Sequence, residues 1–92
     1  MISAFVLISA RPDRIAALAS ELADVEGVAE VYSVAGDVDI VAIVRVPEHD
    51  QLAEVVTGHI AGLDGIISTR SMVAYRAHSR HDLEAMFSLG TD

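Results

Sequence analysis

Few residues in this chain have the makings of a reactive or binding group, and the densest set is Gly36-Asp37-Val38-Asp39, two carboxylates and a glycine between stretches almost free of other charge. Two readings stand. Gly and Asp are ordinary residues of a hairpin loop, and Asp39 would then merely cap a backbone N–H. Alternatively the carboxylates meet a positively charged group, and Gly36 lets a ligand approach the backbone. A turn by itself accounts for one aspartate. The histidines raise a metal site, because His78 and His81 stand three apart with Asp82 and Glu84 nearby, a spacing that chelates on a helix. His78, however, falls at the end of a strand and no second pair exists in the sequence, so solvated polar residues ahead of a helix cap explain both. No metal is expected. His59 sits on the apolar stripe of a helix and reads as a hydrogen-bonded histidine at the core edge. There is no Ser/His/Asp set with recognisable spacing, no glycine-rich phosphate cradle and no cysteine, so neither a catalytic residue nor a cofactor is expected. Tyr32 and Tyr75 read as packing on a sheet face.

Composition narrows the classes further. Ninety-two residues make one compact domain, so any second function comes from self-association or another chain. The formal net charge is −8. All the basic residues are arginines (Arg11, Arg14, Arg45, Arg70, Arg76, Arg80) and they never form a run, which leaves no footprint for phosphates and argues against direct nucleic-acid binding. The apolar start Ile2 to Ala10 lacks a basic region ahead of it and a small-residue cleavage site after it, so it reads as a strand and not a signal peptide. No window approaches the ~18 apolar residues of a membrane span. A cytoplasmic protein without membrane contact is the expectation.

The elements that must position these residues follow from period and punctuation. Ile2 to Ala10 is rich in strand formers and ends at Arg11-Pro12-Asp13-Arg14. Ile15, Leu18, Ala19, Leu22 and Val25 recur near 3.6 residues, an amphipathic helix with Pro12 and Asp13 suited to its first turn. Glu26-Gly27 stops it. Val28 to Ala35 is a second strand, Gly36-Asp37 a turn, and Val38 to Val46 a third strand. Pro47-Glu48-His49-Asp50 opens a second helix with Leu52, Val55, Val56, His59, Ile60 and Leu63 on one stripe. Asp64-Gly65 ends it, and Ile66 to Ala77 is the fourth strand. The segments 22–34 and 60–72 both read helix end, acid, Gly, branched residue, strand, so the chain is two similar halves. The fold class is α+β, ferredoxin-like βαββαβ: a four-stranded antiparallel sheet, both helices on one face, strands one and three central. The domain occupies residues 1–77, and 78–92 form a tail.

An antiparallel sheet with helices on one face and water on the other should alternate apolar and polar residues. Strands one and three do not: residues 4–8 (AFVLI) and 40–44 (IVAIV) are apolar on both faces. At ~25 cal/mol per Å2, an uncovered face would forgo several kcal/mol. A second copy of the chain is expected to cover it, in a homodimer or a ring of dimers. The tail is the competing cover, since Leu83, Met86 and Phe87 sit at helical spacing after a Ser79-x-x-Asp82 capping pattern. A helix of about ten residues must dock somewhere, but its apolar face is too small to cover the sheet.

These residues carry a resemblance. The βαββαβ order, with residues 28–44 (VAEVYSVAGDVDIVAIV) across the central hairpin and 63–74 (LDGIISTRSMVA) at the second helix-to-strand junction, resembles the effector-binding domain of the Lrp/AsnC transcription regulators over residues 2 to about 77. The whole looks like the stand-alone versions of that domain, without a helix-turn-helix. The resemblance implies a homodimer of the dimeric α+β barrel type that closes into an octameric ring, a free amino acid as effector bound between dimers, and helix-turn-helix Lrp/AsnC relatives as partners. An amino acid needs a negative partner for its ammonium and donors for its carboxylate. Asp37 and Asp39 supply the first; Gly36 offers an N–H, and Thr69, Ser71 or Arg70 meet the carboxylate. This chain departs from the family at Val38, where relatives often carry an aromatic residue, and at Arg70, a charge between the two hydroxyls. The expected function is therefore non-enzymatic: an amino-acid-binding and oligomerisation domain that modulates transcription. The alternatives are a cofactor-free monooxygenase or isomerase of the same fold using His59 or Asp39 as base, and a pure assembly module.

Overall fold

The computed structural model describes residues 1–78 and residue 80. The expected tail helix with Leu83, Met86 and Phe87, its Ser79-x-x-Asp82 cap, and the pairing of His78 with His81 lie outside the described residues. The element order is β1 (Ile2–Ala10), a 3-10 turn (Pro12–Arg14), α1 (Ile15–Ala23), β2 (Val28–Ser33), β3 (Ile40–Val46), α2 (His49–Ala53) continuing as a π-helical segment (Glu54–Ile60), and β4 (Ile66–Val73). Pro12 starts the 3-10 turn, where its missing N–H costs nothing. The four strands form one sheet in the order β2-β3-β1-β4, every neighbouring pair antiparallel. Each half thus places its first strand centrally and its second at an edge, as the two-fold repeat in the sequence requires.

The core lies between the sheet and the helices. Ala4, Val6 and Ile8 of β1 and Ile40, Ala42 and Val44 of β3 are fully buried, together with Leu18, Leu22 and Ile60 from the helical layer. Ile15 and Ala19 of α1, and Val25 two residues past its end at Ala23, pack against them, so the stripe read from the sequence is the buried one although the helix ends before its last position. The two halves lock through their glycines. Gly27, at φ 96°, precedes β2, and a Cβ there would meet Val55 Cγ2 at 2.8 Å and Val46 Cγ1 at 3.2 Å. Gly65, at φ 101°, precedes β4, and its Cβ would meet Arg14 Cβ at 2.7 Å. Each glycine turns left-handed and lets the other half's helical layer sit directly on the backbone.

Three boundaries differ from the periodic reading. β2 ends at Ser33 rather than Ala35, and β3 begins at Ile40 rather than Val38. Their connection is a loop over 34–39, closed by Val34 N–H donating to the Asp39 carbonyl at 2.9 Å. Val38 turns inward and is buried. β4 ends at Val73 rather than Ala77. Its last registered pair is Val73 with Ala4, and Ala74 N–H donates to the Ser3 carbonyl just beyond it. The second helix is α-helical only to Ala53, and its last turns are π-wound, with Ala61 N–H reaching the Val56 carbonyl at 3.2 Å. The wider turn carries His59 off the apolar stripe: it is exposed, while Leu52, Val55 and Ile60 remain buried.

Candidate ligand site and open sheet face

The hairpin loop is where the acidic turn lies, and its parts have separate tasks. Gly36 has φ 145° with nothing within 4 Å of a would-be Cβ, so the loop needs its backbone freedom and not its small size. Asp37 is exposed. Asp39 does the work of a ladder residue. Its N–H donates to the Ile8 carbonyl at 2.9 Å, and its Oδ2 accepts the Ala10 N–H at 2.8 Å. The carboxylate thus stands in for the backbone carbonyl that β3 no longer offers at this level, and the backbone-capping reading of Asp39 is the observed one. A carboxylate has a second oxygen. That oxygen is what Asp39 has left for a ligand.

Thr69 and Ser71 reach this region from the far side of β1. Thr69 pairs with Ile8 and Ser71 with Val6; because directly opposed residues share a face, both hydroxyls lie on the helix side. Thr69 is half-buried and Ser71 exposed. Asp39 and Thr69 flank the same β1 residue, Ile8, two interstrand spacings apart, about 10 Å. Ser71 lies one further pair along. Arg70 pairs with Leu7 and so faces the opposite side of the sheet from the two hydroxyls. The expected set is therefore split. Gly36, Asp37 and Asp39 are brought together at one end of β1, Thr69 lies across from them, and Arg70 is turned away.

Single-sequence reasoning missed a cavity of about 320 Å3 at the other end of the sheet. Glu26, Arg45, Gln51, Glu54, Val55 and His59 are among its walls. No spacing rule could have gathered them, because the π-helical turns that swing His59 outward are invisible to a 3.6-residue period. Among the described residues no group of His, Asp and Glu is placed to hold a metal ion.

The face of the sheet away from the helices is open. Phe5 (37% exposed), Tyr32 (50%) and Met72 (55%) lie on it, with Leu7, Val41 and Ile43 half-buried between them. One edge carries a polar cluster. Tyr32 Oη donates to Glu30, and Arg45 Nη1 lies 3.5 Å from Glu30 Oε1. The Tyr32 hydrogen bond, and then Arg45, hold the Glu30 carboxyl below its ordinary pKa, while Glu30 raises that of the Tyr32 phenol. Tyr32 thus lies on a sheet face as expected; Tyr75, past the end of β4, is fully exposed.

Comparison with known proteins agrees with this architecture. The HTH-type transcriptional regulator FL11 of Pyrococcus abyssi is 34% identical over 77 residues, 82% of this chain and 49% of the regulator, so the chain spans about half the length of that relative. The crystal structure of TTHA0845 from Thermus thermophilus is 46% identical with a TM-score of 0.82, covering 87% of this chain and 100% of that one. The feast or famine regulatory protein of M. tuberculosis, solved in complex with L-methionine, is 30% identical with a TM-score of 0.68, over 87% of this chain and 54% of its own. No helix among the described residues is long and apolar enough to cross a membrane. The sheet order, the paired glycines and a match over residues 3–83 to the Lrp/AsnC ligand binding domain lead to one conclusion: the chain belongs to that family of transcription-regulator domains.

Proposed function

We propose that this chain is a non-enzymatic sensor and assembly domain: it dimerises through the open sheet face, binds a free amino acid at the loop end of β1, and modulates transcription through assembly with helix-turn-helix relatives. The observation that carries the reading is the apolar face of β1 and β3 that no described element of the subunit covers. Phe5, Leu7, Val41 and Ile43 form a contiguous patch of the kind that marks an association surface. A second copy is the cover of choice because the patch spans the two central strands of a sheet face and an identical face offers the same apolar residues to meet it.

In this reading the amino-acid site is assembled from more than one subunit. Gly36, Asp37 and Asp39 offer an N–H and carboxylate oxygens, and Thr69 and Ser71 offer hydroxyls, yet about 10 Å of sheet separates the two sets. A neighbouring dimer in a ring closes that gap. Binding across an interface favours the assembly that completes the site, so effector and oligomer are linked. L-Methionine, seen bound to the M. tuberculosis relative, is the first ligand to try.

Titration calorimetry with the twenty amino acids, with assembly followed by light scattering, tests this. At least one amino acid should bind and shift the assembly. Asp39→Asn keeps an acceptor for the Ala10 N–H but removes the charge facing an ammonium, and should weaken binding by roughly tenfold or more with little loss of stability. Binding indifferent to Asp37→Asn and Asp39→Asn together would remove the acidic turn from the site. Silence from every amino acid would leave a pure assembly module.

A further inference from the structure

The open face is not uniform from edge to edge. Registered pairing lays it out as rows: Tyr32, Val41, Leu7 and Arg70 form one, and Glu30, Ile43, Phe5 and Met72 the next. The β2 edge therefore presents an acid tied to a phenol, and the β4 edge an exposed guanidinium on the same face. Among the described residues the ion pairs are made by Arg11, Arg14 and Arg45, and Arg70 enters none of them. Between the edges lies the apolar band.

Two copies packed face to face are related by a two-fold axis lying in the interface, and two simple choices exist. With the axis across the strands, β2 lies over β2 and β4 over β4; Glu30 and Tyr32 then meet their own copies, and Arg70 meets Arg70 or Met72. In the register that sets Arg70 on Arg70 like charges oppose association, and in the one that sets it on Met72 the guanidinium is left without a counter-charge. With the axis along the strands, β2 lies over the partner's β4. Rows stay in register, Val41 and Ile43 fall on the partner's Leu7 and Phe5, and Tyr32 faces the partner's Arg70. Glu30 is one row away, about 7 Å along the strand, with the sheets about 10 Å apart. Two long side chains span that offset.

Building on the dimer proposed above, we infer that Glu30 and Tyr32 of each subunit grip Arg70 of the other, and that this charge pair sets both the orientation of the dimer and which chains can mix in it. The guanidinium stacks on the Tyr32 ring and pairs with the Glu30 carboxylate. The carboxylate is already oriented by Tyr32 and Arg45, so little freedom is lost on pairing. The apolar band supplies the association and the edges supply the selectivity, as charged flanks do in other paired interfaces. A relative lacking either charge would be a poorer partner than a second copy of this chain.

Charge reversal gives a test with a distinctive signature. Glu30→Arg alone sets Arg against Arg at both edges of its homodimer, and Arg70→Glu alone sets Glu against Glu; each homodimer should weaken at least about tenfold in sedimentation equilibrium. Mixed together, the two variants restore both pairs, so native mass spectrometry should show a heterodimer in preference to either homodimer. Circular dichroism on each variant confirms the fold, and if either reversal fails to fold, the milder Glu30→Gln and Arg70→Gln should each weaken the dimer, by less than a reversal. Dimers that persist without heterodimer preference would overturn the assigned orientation while leaving the dimer itself. A wild-type chain that is monomeric at high micromolar concentration would overturn both.

Discussion

The two faces of β1 and β3 are built from nearly the same residues and meet different fates. Toward the helices, Ala4, Val6, Ile8, Ile40, Ala42 and Val44 lose all their exposure. Away from the helices, Phe5, Leu7, Val41 and Ile43 keep part of theirs. The chemistry is the same and the partner is not. The first face is paired within the chain by α1 and the second helix, so its burial is folding free energy. The second has no described element left to pair with it, so in the dimer proposed above its burial would be association free energy and would depend on concentration. Two short helical segments have material to cover one face of a four-stranded sheet.

Five substitutions break or sharpen that contrast. Ile8→Ala on the sealed face should cost about 2–5 kcal/mol in urea unfolding, because the helical layer collapses only partly into the cavity. Phe5→Glu on the open face should leave the far-ultraviolet dichroism of the fold intact yet weaken dimerisation by about 2–3 kcal/mol, roughly a hundredfold in the dimer Kd from sedimentation equilibrium. If Phe5→Glu unfolds the chain instead, the two faces are not separate.

The third and fourth substitutions compare the glycines. Gly27→Ala combines a left-handed φ of 96° with a Cβ 2.8 Å from Val55, where the helical layer meets the backbone, and should cost about 2–3 kcal/mol in thermal or urea unfolding. Gly36→Ala has the φ problem without the collision and should cost about 1 kcal/mol. The ordering is the informative part: equal costs would mean that the close approach at Gly27 carries no energy.

The smallest effect is a pH effect at the polar edge. Glu30 has a depressed pKa in the folded chain, held first by Tyr32 and then by Arg45. Its contribution to stability is therefore present above its ordinary value of 4.5 and lost as pH falls through the lowered folded value. Tyr32→Phe removes the larger cause. Acid unfolding curves of wild type and Tyr32→Phe should differ above pH 4.5 and converge below the depressed pKa, a modest change because the group is at the surface.

Much of this was legible in the residues themselves. Strand β1 falls where its run of branched and aromatic residues ends at Pro12, and α1 buries the stripe that its spacing marks. The glycines of the two-fold repeat sit at positive φ before β2 and β4, as the helix-stop reading implies. The strand ends were less legible. β4 pairs with β1 only as far as Val73 on Ala4, a register set between distant segments and not within either one. A 3.6-residue period misplaces His59 on the core stripe, because the turns that carry it are π-wound.

The candidate site shows the same division. Gly36, Asp37 and Asp39 are neighbours in sequence, so their type and spacing point to a polar loop. Thr69, Ser71 and Arg70 are also neighbours, but strand alternation sends the hydroxyls to one face and the guanidinium to the other, and only the register of β4 on β1 says which.

What the sequence determined by itself was local: periods of two and of 3.6, turn glycines, and a sheet apolar on both sides, each a consequence of bonds and contacts between near neighbours. What the tertiary structure alone decided was which residues far apart in the chain share a row, a face or an edge. It placed Asp39 on Ala10, Gly27 under Val55, and Glu30 and Arg70 on opposite rims of one uncovered surface. The physical reason is that register is fixed by packing and hydrogen bonding between distant segments, and no local propensity encodes a partner that lies a strand away.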